Sequence, residues 1–297
     1  MIFIYHLVLI LLDGCGRQKA VRDPTKIQLP KVIFVIAGFD PSSGAGATAD
    51  LKTVAALGGY GVACLTALTV QSTQGVRRTE RLPAWLVRET LITLAEDTPP
   101  AAIKIGMLHT AEVAEAVAEF LAGWREVPTV LDPVLRSSSG AELLDAGGLA
   151  VMRQRILPLV GWVTPNLAEA AALSGRQVGR VEDIPEAAAE LRRLYPQLNV
   201  VVTGGHLAMP DDYFLSSGRS RIEGVWIQGE KINTTSTHGT GCAFSTALAV
   251  SLAHGAEPEE AVRAAKDYVA GALRHAPGIG RGRGPIGHLW RVGTSSE

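Results

Sequence analysis

A glycine-rich segment near residue 240 has the composition of an anion-binding turn. THGTGC (237–242) leads directly into an apolar stretch long enough to form a helix. The first amides of a helix lack intrahelical partners and the helix dipole is positive there, so the amides of Gly239, Thr240 and Gly241 are predicted to form an anion hole. Such a hole stabilises a phosphoryl group during transfer. Cys242 would lie in the first turn, where a thiol pKa is lowered toward neutrality. It is predicted to accept or orient a substrate proton, with a thiol packed under the loop as the alternative.

A second glycine-rich segment, GFDPSSGAGATADLKT (38–53), joins a predicted strand to a predicted helix. Glycine allows a ligand to approach the backbone closely. The stretch GAGATA (44–49) also satisfies the dinucleotide pattern G-x-G-x-x-A. However, these glycines follow the strand by several residues, and 62–75 contains no acidic residue for a ribose. We interpret the segment as a substrate loop, with a loop that only requires small residues as the alternative.

Two polar residues near this loop could contact a small ring-shaped substrate. Asp50 is predicted to open the following helix. There its carboxylate would either accept a hydrogen bond from a ligand hydroxyl or only offset the helix dipole. Gln71 follows the second predicted strand, and its amide offers one acceptor and two donors, which suits the edge of a nitrogen heterocycle. Glutamine is also common in turns, so Gln71 alone is a weak signal.

Acidic residues follow two further predicted strands. Asp132 ends one of them, and Asn166 and Glu169 follow the next in TPNLAE (164–169). A carboxylate at the carboxyl end of a strand suits Mg²⁺, which keeps most of its waters and takes few protein ligands. Asn166 and Glu169 would share one helix face. Their spacing is also that of a capping box, a structural role compatible with a functional one.

These segments are positioned by short apolar runs that alternate with alanine-rich stretches after Pro30. Strands are predicted at Val32–Ala37, Val62–Thr69, Ala102–Met107, Thr129–Asp132, Trp162–Thr164 and Asn199–Thr203, followed by a more polar antiparallel pair at Tyr213–Ser216 and Arg221–Ile227. Helices are predicted at Thr48–Leu57, Pro83–Glu96, Ala111–Leu121, Leu149–Leu157, Leu167–Ser174, Pro185–Leu194, Gly241–His254 and Pro258–His275. This alternation indicates an α/β fold with a parallel sheet covered on both faces, in one domain at 30–297. Ligands of such sheets bind beyond the carboxyl ends of the strands.

The composition argues against several protein classes. Hydrophobic residues make up 47% of the 297 residues and the net charge is -1, without the basic excess of a nucleic-acid-binding protein. Cys15, Cys64 and Cys242 are too far apart for a zinc site and indicate a reduced, cytoplasmic protein. Residues 1–12 are apolar but lack preceding basic residues and are too short to span a bilayer. Residues 1–29 are therefore predicted to be a poorly ordered extension with no role at a membrane, and secretion or membrane anchoring is the alternative.

Taken together, the motifs resemble those of the hydroxymethylpyrimidine/phosphomethylpyrimidine kinases, a family of the ribokinase-like superfamily. The resemblance extends from Val32 to about His288 and is carried, in the family's order, by GFDPSSGAGATADLKT, LTVQST, KIGML, LDPV, TPNLAEAAAL, TGGH, THGTGC and GIGRGRGP. It implies a three-layer α/β/α sandwich with a mainly parallel sheet. It also implies MgATP-dependent phosphorylation of hydroxymethylpyrimidine, and of its monophosphate, in thiamine biosynthesis by a homodimer.

The resemblance also implies which residues form the acceptor side of the site. Asp50 and Gln71 match the positions that hold the pyrimidine, and Gly38 and Met107 lie beside them. The segment 239–242 matches the anion hole. Its cysteine occupies the place where sugar kinases of the superfamily carry an aspartate base.

On the nucleotide side, Asp132, Asn166 and Glu169 match residues around Mg²⁺ and the ATP phosphates. Asp132 and Glu169 would hold the ion through water, and Lys266 would lie near the nucleotide. Many relatives read KGGH where this chain has TGGH, so Thr203 replaces a lysine that neutralises phosphate charge. Thr203 can still donate a hydrogen bond. We expect a weaker second phosphorylation, because that step handles more negative charge.

Two other functions fit the same sequence. A pyridoxal or pyridoxine kinase would also phosphorylate a hydroxymethyl group on a flat nitrogen ring. A non-catalytic relative could bind the pyrimidine as a sensor or partner protein; the replaced lysine at Thr203 favours this slightly, whereas the intact THGTGC segment argues against it.

Overall fold

The computed structural model describes residues 29–137, 139–205, 207, 209–218 and 224–292. The chain divides into two compact units, Met1–Pro30 and Lys31–Glu297. Almost all of the predicted extension at 1–29, including Cys15, lies outside the described residues. No described helix combines the length and the apolar character needed to cross a membrane.

Within the described part of the second unit, the strands form a single nine-stranded sheet in the order β3-β2-β1-β4-β5-β6-β7-β8-β9. The strands are β1 (Val32–Phe39), β2 (Tyr60–Ser72), β3 (Gly75–Arg81), β4 (Ala102–Ile105), β5 (Thr129–Leu131), β6 (Trp162–Val163), β7 (Asn199–Val202), β8 (Asp212–Leu215) and β9 (Val225–Ile227). Parallel pairing joins β2, β1, β4, β5, β6 and β7 in that order. At one edge β3 pairs antiparallel with β2, and at the other edge β8 pairs antiparallel with both β7 and β9. The predicted, mainly parallel sheet is confirmed.

The helices cover both faces of this sheet. They are α1 (Gly46–Ala56), α2 (Ala84–Asp97), α3 (Ala111–Leu121), α4 (Ala146–Val151), α5 (Leu167–Ser174), α6 (Ile184–Leu194), α7 (Thr240–Ala253) and α8 (Pro258–Arg274). Because side chains alternate along a strand, Phe34 and Ile36 pack with α2 to α6, and Ile33 and Val35 pack with α1, α7 and α8. Two apolar cores result, one on each face, and the three-layer α/β/α sandwich is confirmed.

Helix α7 lies deep in the second core. Its residues from Ala243 to Val250 are all buried, as expected for a helix that is apolar on every side. A buried helix has little freedom to shift. Its N-terminus, which carries the predicted anion hole, is therefore held rigidly against the sheet.

Most predicted elements have the expected position, and three differences have physical causes. Strand β3 was not predicted, because GVRRTER is polar and forms an exposed edge strand. The single helix predicted at Leu149–Leu157 is instead α4, which is capped by Asp145 and runs into a π-helical turn at Met152–Ile156. Part of the predicted strand Arg221–Ile227 lies outside the described residues, and β9 begins at Val225.

Candidate active site

The carboxyl ends of the parallel strands border a cavity of about 1170 Å³. Every predicted site residue except Asp50 lines it. Its wall is built by the end of β2, which carries Gln71, by the loops that follow β1, β4, β5, β6 and β7, and by the start of α7. The fold thus brings together the segments that the sequence singled out, at the edge where ligands of such sheets bind.

The anion-hole segment requires glycine for two different reasons. Gly239 has a φ of +91° and a Cβ there would lie 1.8 Å from the carbonyl oxygen of Gly44, so any side chain is excluded. At Gly241 the nearest atom to a Cβ would be Asp132 Oδ2 at 4.0 Å. Gly241 therefore leaves open space above the helix N-terminus, where a ligand can approach the backbone amides.

The predicted low pKa of Cys242 is wrong in direction. The residue is half-buried, and burial raises the pKa of its thiol to about 12. Lys104 opposes this shift, and the charges of Asp50 and Asp132 add to it. Burial and the two carboxylates outweigh the helix terminus, so Cys242 is a neutral thiol near pH 7.

The glycine-rich loop after β1 is organised by Asp40, which sequence reasoning did not select. Its carboxylate accepts hydrogen bonds from the amide of Ser42 at 2.8 Å, the amide of Ala45 at 2.9 Å and His238 Nε2 at 2.7 Å. Burial alone would raise the pKa of Asp40, but hydrogen bonds from His238 and Ser42 outweigh it and lower the pKa. Asp40 therefore ties the loop to the anion-hole segment. The only sequence signal for Asp40 was its position in GFDPSSGAG, a segment that was selected for its glycines.

The predicted acceptor residues Gln71, Gly38 and Met107 share one part of the cavity wall. Gln71 Nε2 lies 3.1 Å from His238 Nε2. That ring nitrogen gives its hydrogen to Asp40, so the Gln71 amide hydrogens gain no acceptor there and can point to a ligand. A Cβ at Gly38 would come within 2.7 Å of Met107 Sδ, so Met107 packs directly against the Gly38 backbone.

Asp50 does not line the cavity, and the prediction that it opens a helix is wrong. It lies in the second turn of α1, is 0% exposed, and has both oxygens occupied. Lys104 Nζ donates to Oδ2 and Thr246 Oγ1 donates to Oδ1, each at 2.7 Å. Burial raises the pKa of Asp50, and Lys104 opposes that shift.

Lys104 is a second site residue that sequence reasoning missed. It lies within the apolar strand β4, yet it borders the cavity and is 0% exposed. The only sequence signal was a lysine inside an otherwise apolar strand, AIKI. Such a lysine is almost never fully buried unless it is paired.

The acidic residues after β5 and β6 lie close together. Asp132 is buried, accepts a hydrogen bond from Ser245 Oγ at 3.3 Å, and lies 4.0 Å from Lys104 Nζ. The predicted capping box is present, because Asn166 Oδ1 accepts from the Glu169 amide and Glu169 Oε2 accepts from the Asn166 amide. Burial raises the pKa of Glu169 to about 8, and the neighbouring Asp132 charge adds to it.

Thr203 and Lys266 line the remaining wall. Thr203 Oγ1 lies 3.5 Å from the carbonyl oxygen of Pro165. Lys266 Nζ forms a 2.7 Å ion pair with Asp212, whose other oxygen accepts from the amide of Gly204. Burial raises the pKa of Asp212, and Lys266 opposes that shift. A hydroxyl and a cation are therefore available to an anionic ligand.

Comparison with known proteins gives four consistent similarities. A family model described as phosphomethylpyrimidine kinase matches residues 40–287. The hydroxymethylpyrimidine/phosphomethylpyrimidine kinase of Streptomyces coelicolor is 40% identical over 270 residues, which are 91% of this chain and 98% of that protein. The thiamine biosynthesis bifunctional protein ThiED of Geobacter sulfurreducens is 41% identical over 86% of this chain, and the match spans 52% of its own length. An ADP complex of Bacillus subtilis pyridoxal kinase has a TM-score of 0.78 at 31% identity, covering 88% of this chain and 97% of that chain.

Proposed function

Because the chain belongs to the phosphomethylpyrimidine kinase family, we propose that it transfers the γ-phosphoryl group of ATP to the hydroxymethyl oxygen of 4-amino-5-hydroxymethyl-2-methylpyrimidine. In a second step it phosphorylates the resulting monophosphate to the pyrophosphate, in thiamine biosynthesis. One observation carries this proposal. A single cavity combines a helix N-terminal anion hole (239–242), the amide of Gln71 and the two carboxylates Asp132 and Glu169.

The acceptor ring is proposed to bind between Gly38, Met107 and Gln71. Met107 packs against Gly38 in the cavity wall, and its apolar side chain suits contact with the face of the ring. The Gln71 amide can donate to a ring nitrogen and accept from an amino group. This places the hydroxymethyl group toward the start of α7.

The transferring phosphoryl group is proposed to lie over the amides of Gly239, Thr240 and Gly241. In this step the hydroxymethyl oxygen forms a bond to the γ-phosphorus, and the bond between that phosphorus and the β–γ bridging oxygen breaks. ADP leaves with the electron pair of the broken bond. Because the transition state is loose, most catalysis comes from positioning and charge stabilisation.

Cys242 is proposed to orient the acceptor hydroxyl rather than to act as a preformed base. With a pKa of about 12 the thiol is protonated at neutral pH, and its sulfur is a weak hydrogen-bond acceptor. A strong base is not required, because the hydroxyl proton is lost late in a loose transition state. The proton passes to an oxygen of the transferred phosphoryl group.

On the nucleotide side, Lys266 and Thr203 are proposed to contact the ATP phosphates, and Asn166 lies beside them. Asp132 and Glu169 would hold Mg²⁺ through water, and their oxygen atoms are of the kind this ion prefers. When bound, Mg²⁺ supplies positive charge that neutralises the phosphates. Among the described residues, no three His, Cys, Asp or Glu side chains form a metal-binding group, and Mg²⁺ takes few protein ligands.

The test is ADP release from MgATP with hydroxymethylpyrimidine as the acceptor, with the phosphorylated products identified by mass spectrometry. Turnover with the pyrimidine supports the proposal. A matched pair of variants tests the acceptor site: Gln71→Leu should raise the KM for the pyrimidine about tenfold. Gln74→Leu, in the exposed turn and outside this cavity, should leave it unchanged.

A pyridoxal kinase is the second candidate, favoured by the TM-score of 0.78 to the Bacillus subtilis enzyme. Pyridoxal is therefore assayed in parallel with the pyrimidine. Turnover of pyridoxal alone would replace the proposed acceptor, and turnover of both would indicate a dual activity. Tight pyrimidine binding without ADP release would instead indicate a non-catalytic pyrimidine-binding protein.

We also propose that the protein acts in the cytoplasm as a homodimer, as the family resemblance implies. Light scattering coupled to size-exclusion chromatography would measure the mass directly. A species of one chain mass, 31.3 kDa, at micromolar concentration would contradict the dimer.

A further inference from the structure

The floor of the cavity contains a buried charge that the proposed reaction has not yet used. Lys104 projects from the central strand β4 and is 0% exposed, with its Nζ 2.7 Å from Asp50 Oδ2 and 4.0 Å from Asp132 Oδ2. A Cβ at Gly106 would lie 2.9 Å from the same Nζ. The ammonium group is thus enclosed on several sides and has one fixed position.

Asp50 determines that position. Its carboxylate binds Lys104 through one oxygen and Thr246 through the other, each at 2.7 Å. Asp50 belongs to α1 and Thr246 to α7, so this network joins two helices to β4. Thr246 lies four residues after Cys242, on the same face of α7. The Lys104 ammonium is therefore held in a fixed position relative to α7, the helix that carries the anion hole.

The groups that face Lys104 from the cavity side belong to the transfer site. Asp132 is the second carboxylate neighbour of Lys104, and the charge of Lys104 also acts on the Cys242 thiol. Phosphoryl transfer requires a hydroxyl oxygen to give up its proton at this place. Negative charge develops on that oxygen as the proton leaves. A cation in a fixed position stabilises this charge most strongly when it is buried, because burial reduces screening by water.

We propose that Lys104 supplies a buried positive charge that stabilises the acceptor oxygen during phosphoryl transfer, and that Asp50 is a positioning residue for Lys104. This inference rests on the proposed function. It gives Asp50 a role through Lys104 rather than through contact with the pyrimidine. The alternative is an ion pair that only holds α1, β4 and α7 together.

The two roles are separated by removing both charges at once. Breaking a buried pair by a single substitution is strongly destabilising, whereas replacing both partners by neutral side chains is often close to neutral for stability. The double variant Asp50→Asn/Lys104→Met should therefore fold, and Asp50→Asn/Lys104→Gln provides a second neutral pair that can hydrogen-bond internally. Lys31→Met, at an exposed position outside the cavity, controls for the substitution itself.

The experiment measures kcat, KM for the pyrimidine and for ATP, and thermal unfolding of these variants. At least one double variant should unfold within a few degrees of the native protein and keep both KM values within about threefold, while kcat falls about a hundredfold or more. A kcat within threefold of the native value in a folded double variant would overturn the proposal and leave a purely structural pair. So would a rise in KM for the pyrimidine with little change in kcat, because that would indicate a role in ground-state binding only.

Failure of the proposed function has a different signature. If the native protein releases no ADP with either the pyrimidine or pyridoxal, the proposed function is wrong and the role of Lys104 falls with it. If the native protein and the double variants turn over equally, only the role of Lys104 is wrong.

Discussion

Two lysine–aspartate ion pairs contribute to the same cavity, and they differ in how far they are buried and therefore in the role that each lysine can have. Lys104 pairs with Asp50 and Lys266 pairs with Asp212, and the distance between nitrogen and oxygen is 2.7 Å in both. The first pair is 0% exposed on both side chains, whereas Lys266 is 13% and Asp212 6% exposed. We call Lys104–Asp50 the sealed pair, because its position is fixed, and Lys266–Asp212 the open pair. The Lys266 ammonium can turn from Asp212 toward an incoming phosphate.

The largest expected difference between the two pairs is in stability. Lys104→Met leaves Asp50 buried without its cation, and we expect the free energy of unfolding to fall by about 3–5 kcal/mol. Lys266→Met should cost less, because the Lys266 side chain is 13% exposed and water can reach this pair more readily than the Lys104–Asp50 pair. Urea unfolding at pH 7 measures both. Equal losses in the two variants would break the comparison.

His288 extends the comparison to a buried base that contacts no carboxylate among the described residues. Its Nε2 lies 3.0 Å from the carbonyl oxygen of Gly44, and burial lowers the pKa of His288 to about 4. An unfolded histidine has a pKa of about 6.5, so the unfolded state binds more protons between these values. Stability should therefore be lost as pH falls from about 6.5 to about 4, by about 3 kcal/mol from this group.

The measurement is the free energy of unfolding at pH 7 and pH 4.5. His288→Gln should show a smaller loss at the lower pH than the native protein. His254→Gln, at an exposed position on α7's far end, should keep the native pH dependence. An unchanged pH dependence in His288→Gln would show that burial of this ring does not contribute to acid unfolding.

The open pair is expected to contribute to nucleotide binding. Lys266→Met should raise the KM for ATP about tenfold, which is about 1.4 kcal/mol, and change kcat little. The KM for the pyrimidine serves as the internal control and should remain constant. An unchanged KM for ATP would place the nucleotide phosphates away from Lys266. The two pairs would then differ in burial but not in a role in nucleotide binding.

Cys242 lies between the sealed charges and the open cavity. Because its thiol is protonated near pH 7, Cys242→Ala should lower kcat only about fivefold, roughly 1 kcal/mol, and leave the KM for the pyrimidine unchanged. Steady-state kinetics at pH 7.5 provides the measurement. A loss of a hundredfold or more is the size expected for a general base, and would contradict the orienting role.

The smallest expected effect concerns Thr203, which lines the open side of the cavity. Thr203→Lys adds a cation near the nucleotide phosphates and should raise the rate of the second phosphorylation relative to the first about threefold, below 1 kcal/mol. Thr203→Val, which removes only the hydroxyl, is the uncharged control. Rates are compared with the pyrimidine and its monophosphate as separate acceptors. An unchanged ratio would show that charge at this position does not limit the second step.

Much of the fold could be predicted because its signals are local. Helices α3 and α5 have the predicted boundaries, Ala111–Leu121 and Leu167–Ser174. The apolar runs that became β1, β4 and β7 were recognised from composition alone. Strand β3 was not, because a charged edge strand gains its order from pairing with β2 rather than from its own residues.

The candidate site could be predicted only in part, and the errors share one cause. Glycines and cavity-lining residues such as Gly239 and Gln71 were found from their place after a strand or before a helix. Asp50, Lys104 and Cys242 were misjudged or missed. The properties of these three side chains depend on neighbours that lie far away in the sequence, such as Thr246, which is 196 residues from Asp50.

The sequence by itself determined the α/β class, the order of most elements and the segments that meet at the carboxyl edge of the sheet, because periodicity, glycine content and capping act within a few residues. Only the tertiary structure decided that Asp50 turns away from the cavity toward Lys104, that Asp40 joins the first loop to His238, and that Cys242 is a neutral thiol. Burial and Coulomb interactions depend on distance in space, and that distance is set by packing between residues far apart along the chain.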